Sequence, residues 1–177
     1  GGTSYSTQTT PRNYTIEKDD MAIYYGGTGS NTTVWRNGSD SKILSVRIRD
    51  IDQNNRWLTG GEGKAMVWIT QNHLTFQNAT DPSNPPATDS SGYINYSFDP
   101  DNNCSYDVGI QNWTIGLYNN QNYKDVNSST YNITLWSYLN GTINIPNGEA
   151  YPREAGQNVT FNVSVFDECG YGVNTAN

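Results

Sequence analysis

The stretch KILSVRIRD, residues 42–50, alternates without a break: Leu44, Val46 and Ile48 fall on one side, Ile43, Ser45 and Arg47 on the other. Successive side chains of an extended chain point to opposite faces, so period two with one apolar face predicts a half-buried β-strand. The signature recurs on both sides of it. YINYSF (93–98) sets Ile94, Tyr96 and Phe98 against Tyr93, Asn95 and Ser97. MAIYYGG (21–27), TTVW (32–35), KAMVWIT (64–70), NWTIGLYNN (112–120) and TYNITLWSYL (130–139) read as further strands. The segments between them are rich in Gly, Pro and Asn: DIDQNNRWLTGGEG (50–63), QNATDPSNPPATDSSG (77–92) and DPDNNCSYDVG (99–109). No stretch combines a 3.6 period with helix caps. Short strands at fairly regular spacing, with turn residues between them, predict an all-β, antiparallel sandwich.

Composition fits a packed β-rich core with an unusual surface. Hydrophobic residues make up 34% of the chain and charged residues only 15%, so the low mean hydropathy of -0.74 comes from neutral polar side chains. Disordered chains are poor in aromatics; this one is 12% aromatic, with 13 Tyr and 5 Trp that each bury a large area. A net charge of -7, with only 10 Lys and Arg, argues against nucleic acid as a partner, because that needs a clustered basic footprint. No run of 18 apolar residues is present, so no membrane-spanning helix is expected. Residues 1–13 are Ser/Thr/Gly-rich without periodicity and read as a flexible lead; the opening GGTSYSTQTTP suits a start left by processing.

The strongest compositional signal is Asn-x-Ser/Thr. It occurs twelve times, at Asn13, Asn31, Asn37, Asn78, Asn95, Asn103, Asn112, Asn127, Asn132, Asn140, Asn158 and Asn162. With 24 Asn and 34 Ser plus Thr in 177 residues, chance alone gives about five. The excess predicts a heavily N-glycosylated extracellular surface, provided each Asn points away from a core.

Sliding the sequence by 117 residues places VWRNGSDSKILSVRIRDID (34–52) on YPREAGQNVTFNVSVFDEC (151–169) without a gap. Arg36 meets Arg153, Val46 meets Val163, Ile48 meets Val165 and Asp50 meets Asp167, with the alternation in phase throughout. A repeated supersecondary unit implies tandem domains. The expected division is a lead at 1–13, a sandwich at 14–138, and a linker with an incomplete second domain at 139–177. YLNGTINIPNGEAYPREAG (138–156) is read as the junction.

Several of these segments carry a family resemblance. TDSSGYINYSFDP (88–100) resembles the Thr-Asp-x-x-Gly strand of bacterial and archaeal immunoglobulin-like surface repeats, and FDECGYGVNTAN (166–177) resembles their turn. INIPNGEAYPREAGQNVTF (143–161) is similar to the inter-domain opening of archaeal S-layer-like repeat proteins. The resemblance covers about residues 40–177. It implies an immunoglobulin-like sandwich with a structural role at the cell surface, and no catalytic residue. It also implies that a Cys after the first strand pairs within its own domain. Here Asp52 stands at the position matching Cys169. Three outcomes stay open for Cys104 and Cys169: a bridge between the two domains, a bridge between chains, or no pairing with each other.

Few residues suggest chemistry. His73 is the lone histidine, with no nucleophile motif to serve, and no enzymatic activity is expected. Asp50, Asp52 and Asn54 alternate as calcium ligands do, with Glu62, Asp99, Asp101 and Asp107 as possible additions, but an EF-hand's Gly and terminal Glu are missing. Turn chemistry is the better explanation of such Asp residues, so no cofactor is required. Among the Trp residues, Trp68 and Trp113 are expected in the core. Trp57, in the polar stretch NNRWLTGG, is expected to be exposed as a weak carbohydrate platform. The functional expectation is an extracellular, N-glycosylated structural protein at the cell surface, a subunit of a layer, sheath or filament. Its partners would be its own copies, joined through sheet edges. TSYSTQTTPRNYTI (3–16) is a candidate donor strand and 156–166 a candidate acceptor. The alternative is an adhesin or carbohydrate-binding sandwich module.

Overall fold

In the computed structural model, residues 13–101, 103–154, 156 and 158–173 are described. They form twelve strands and no helix, so no helix is long and apolar enough to cross a membrane. Residues 1–12, which hold most of the expected lead and donor strand, lie outside the described residues, as do 174–177. Residues 13–16 are exposed and carry no strand.

KILSVRIRD forms β3 (Lys42–Asp50), the centre of a four-stranded sheet. On one side it pairs with β1 (Met21–Tyr25); on the other it pairs with β4 (Arg56–Trp57) and β7 (Tyr93–Phe98). The second, six-stranded sheet runs β2 (Thr32–Trp35), β10 (Tyr131–Trp136), β8 (Gly109–Leu117), β5 (Ala65–Thr70) and β6 (Phe76–Asn78), with β9 (Val126–Asn127) also on β8. The pairings are antiparallel with one departure from expectation: β2 lies parallel to β10. β11 (Leu139–Ile145) and β12 (Asn162–Asp167) make a separate antiparallel pair.

The two large sheets share one core. Leu44, Val46, Ile48, Ile94 and Phe98 from the first join Val34, Val67, Ile69, Trp113, Ile115, Ile133 and Leu135 from the second. Burial of apolar area on this scale drives the two sheets together as a sandwich. Trp113 is fully buried, packs at a tilt with its ring centroid 4.7 Å from that of Tyr131, and donates its indole N–H to the Gly29 carbonyl at 2.8 Å. Gly29 has φ +91 and lies so close to β3 that a Cβ there would fall 2.7 Å from the Ile43 carbonyl, which explains the glycine. Trp113→Phe leaves that carbonyl without its donor. Urea unfolding of this variant is expected to show a loss of about 1–3 kcal/mol.

Three expectations need correction. Trp68 is not in the core: Val67 and Ile69 point inward, so period two turns Trp68 to the outer face, where it is half-buried. Trp57 is not in a loop, because Arg49 and Asp50 recruit Arg56–Trp57 as the short strand β4. Residues 139–145 are not a linker but the strand β11.

The pair β11–β12 repeats β1–β3 in register. Met21 is paired with Asp50 and Ile23 with Ile48; Leu139 is paired with Asp167 and Gly141 with Val165. The hairpin that follows also matches. Leu58 N–H donates to the Ile48 carbonyl, and Val173 N–H donates to the Val165 carbonyl. Both strand-end aspartates are buried, and each organises the turn after it. Asp50 accepts from Gln53 N–H; Asp167 accepts from Cys169 and Tyr171 N–H.

Candidate functional site

The twelve sequon asparagines are distributed over the outside of the molecule. Asn13, Asn31, Asn78, Asn95, Asn103, Asn127, Asn140, Asn158 and Asn162 are exposed; Asn37, Asn112 and Asn132 are half-buried; none is in the core. Strand alternation accounts for this in the sheets. Asn112 and Asn132 are out of phase with the inward residues Gln111, Trp113 and Ile133, so they face outward. Asn95 projects from the outer face of the first sheet, where its Oδ1 accepts from Ser45 Oγ at 2.7 Å. Asn78 Oδ1 accepts from the backbone N–H and hydroxyl of its own sequon residue Thr80 at 3.0 and 2.7 Å. Asn103 Oδ1 accepts from Ser105 N–H. These bonds occupy the amide oxygen and leave Nδ2, the atom that joins a glycan.

β11 and β12 divide polar from apolar. Leu139, Ile143, Phe161 and Val163 lie on one side, 56%, 63%, 70% and 52% exposed. The sandwich counterparts of Leu139, Phe161 and Val163, which are Met21, Leu44 and Val46, are buried under the second sheet. The other side carries Asn140, Asn144, Asn162 and Ser164, with Phe166 beside Asn140 as its apolar exception, and Asn144 Nδ2 donates to Ser164 Oγ at 2.6 Å. An edge is free as well. β3 pairs with β7 through Lys42–Arg47, whereas among the described residues no strand occupies the matching edge of β12 ahead of Val165.

The junction between the sandwich and this pair is covalent and ionic. Cys104 and Cys169 form a disulfide across 65 residues, with Cα atoms 5.7 Å apart. Arg36, 1% exposed just after β2, uses every nitrogen at the junction, two of them on the far side. Nη2 lies 2.5 Å from Asp167, Nε 2.6 Å from Glu168, and Nη1 donates to the Tyr106 carbonyl at 2.9 Å. Burial pushes the Glu168 carboxyl up, but hydrogen bonds from Arg36 and Ser137 outweigh it and hold the group below its usual range. Arg153, which the repeat sets opposite Arg36, is exposed. The charge pattern alone carried no sign that Arg36 spans the two units.

The other residues singled out for chemistry are dispersed. Asp50 is fully buried, its Oδ1 used by Gln53 and its Oδ2 3.8 Å from Arg56. Asp52 accepts from Asp20 N–H, and Asn54 is exposed with φ 55. Among the described residues no three His, Cys, Asp or Glu side chains come together to hold a metal ion. His73 Nδ1 lies 2.7 Å from the Ile110 carbonyl and Nε2 4.0 Å from Asp107. Trp57 is half-buried, with the guanidinium carbons of Arg47 and Arg49 only 3.7 and 4.1 Å from its ring, so no bare indole face is presented as expected.

Searches against models of protein families, curated proteins and solved structures find no match to this chain.

Proposed function

We propose that the chain belongs to an extracellular, N-glycosylated structural protein at the cell surface, built of immunoglobulin-like units in tandem. Its copies associate through sheet edges into a layer, sheath or filament. The observation that carries this reading is the two-sided character of β11–β12. The apolar side, covered in the unit it repeats, is bare, and among the described residues the strand edge beside it is unpaired. Unpaired edges are templates for strands from other chains. The sequons Asn140 and Asn162 stand on the opposite side, where glycans leave the association surface clear and shield the remainder. A strand from a neighbouring copy, added at the β12 edge, pairs the backbone, and the layer that comes with it packs over Phe161 and Val163.

The native protein is expected to form concentration-dependent assemblies by size-exclusion chromatography and electron microscopy. Phe161→Asp with Val163→Asp is expected to leave a monomer with an unchanged sandwich by circular dichroism. A monodisperse native monomer at high concentration contradicts the proposal.

The glycan part has its own check. Asn112 and Asn132 are directly opposite on adjacent strands, so their Cβ atoms are about 5 Å apart. Two glycans do not fit side by side at that spacing. Glycopeptide mapping is expected to find one of the two filled on any given molecule. Glycopeptides doubly filled at Asn112 and Asn132, or no glycan at any of the twelve, refute it.

A further inference from the structure

The outer face of the four-stranded sheet carries a row in which aromatic rings and guanidinium groups alternate. In order they are Tyr24, Arg49, Trp57, Arg47 and Tyr93. Arg49 Cζ lies 5.7 Å from the Tyr24 ring centroid and 4.1 Å from that of Trp57. Arg47 Cζ lies 3.7 Å from the Trp57 centroid and 4.9 Å from that of Tyr93. Alternation builds the row: Arg47 and Arg49 are out of phase with the buried Val46 and Ile48, and Arg49 is the register partner of Trp57.

These two arginines lack the carboxylate partner that several other cations have. Acidic residues number 17 against 10 Lys and Arg, and Arg36, Lys42, Arg56 and Lys124 each have a carboxylate within ion-pairing distance. Among the described residues Arg47 and Arg49 have none. Arg47 uses Nε on the Ser91 carbonyl, at 2.8 Å. Arg49 Nε is buried without a hydrogen-bond partner. A guanidinium lying over a ring keeps its in-plane N–H donors free. Apart from that bond from Arg47 Nε, neither guanidinium donates to a protein acceptor among the described residues, which leaves the terminal Nη donors of both for a ligand.

We infer that this face is a binding site for a carboxylate-bearing saccharide. The planar guanidinium fork matches a carboxylate bidentately. Tyr24, 46% exposed, and Tyr93 flank the forks with aromatic surface for the C–H face of a pyranose ring. Beyond Tyr93 the surface falls into a shallow depression of about 510 Å³ bordered by the exposed Thr28 and Asn95, which offer a hydroxyl and an amide to sugar hydroxyls. The saccharide has two sources: a glycan on Asn95, which stands on β7 two residues from Tyr93, or an acidic polysaccharide from outside the chain.

The test uses the full chain as Asn95→Gln, which does not depend on any glycan being attached. A tetragalacturonate is titrated by calorimetry, with the neutral galactose tetramer, tetraglutamate and inorganic sulfate as comparisons. Tetragalacturonate is expected to bind, and the neutral tetramer is not. Arg47→Gln with Arg49→Gln, checked for folding by circular dichroism, is expected to weaken binding tenfold or more. Arg47→Lys with Arg49→Lys, which keeps charge but not the fork, is expected to fall between. If the native glycoprotein binds tetragalacturonate more weakly than Asn95→Gln, its own glycan is the occupant; equal binding assigns the site to an outside saccharide. No binding, equal binding of the neutral tetramer, tetraglutamate or sulfate, or unchanged affinity in the Gln variant each overturns the inference.

Discussion

Arg36→Met is expected to destabilise the chain by about 3–5 kcal/mol, the range for removing one partner of a buried ion pair. The guanidinium serves Asp167, Glu168 and the Tyr106 carbonyl together, and the side chain is almost fully enclosed. Its loss leaves two adjacent carboxylates facing a desolvated space, and Met supplies no donor. Urea titration of the disulfide-intact protein measures the loss. A pH series adds a second readout. The Glu168 carboxyl is held below its ordinary value in the folded state. Its contribution is therefore present above the unfolded-state value and lost as pH falls through the depressed one. In Arg36→Met this acid dependence is expected to shrink, because the bond that lowers the value is gone. A variant as stable as the native chain, with the same acid limb, rules out the role assigned to Arg36.

Replacing Cys104 and Cys169 with Ser is expected to cost about 4 kcal/mol, the chain-entropy value for a closed loop of this length; the bridged residues are 65 apart in sequence. The same turn holds Cys169, Glu168 and Asp167, so the disulfide and the Arg36 cluster restrain one element twice. Their effects are expected not to add: with either restraint gone, removing the other measures a different native state. A double-mutant cycle in urea determines the coupling. Strict additivity would place the two restraints on independent parts of the fold.

The fold was legible where alternation was clean and unclear where pairing partners decided the outcome. β3 and β7 announce themselves through Leu44, Val46, Ile48, Ile94 and Phe98, all buried. β4 and β6 do not, since two or three residues hold no period; Arg56–Trp57 becomes a strand because Arg49 and Asp50 are there to bond it. Trp68 lies on a strand but out of phase with its core face: on β5 its neighbours Val67 and Ile69 already occupy the inward positions. β11 was hidden by its composition, since LNGTINI is polar on one side and its partner begins seventeen residues after it ends. Among site residues, the sequons were legible one by one. The ring-and-guanidinium row was not, because it joins residues of β1, β3, β4 and β7 that only the register brings together.

The disulfide also has a mechanical meaning. A pull applied between the start of the sandwich and residues beyond 169 travels through Cys104 directly to Cys169. The strands β8 to β12 lie inside that bypass and bear no tension while it is intact. At about 3.4 Å of extension per residue, the bypassed segment holds roughly 220 Å of slack that force alone does not release. Under load such a unit lengthens only by what lies ahead of Cys104, and the half beyond it keeps its shape.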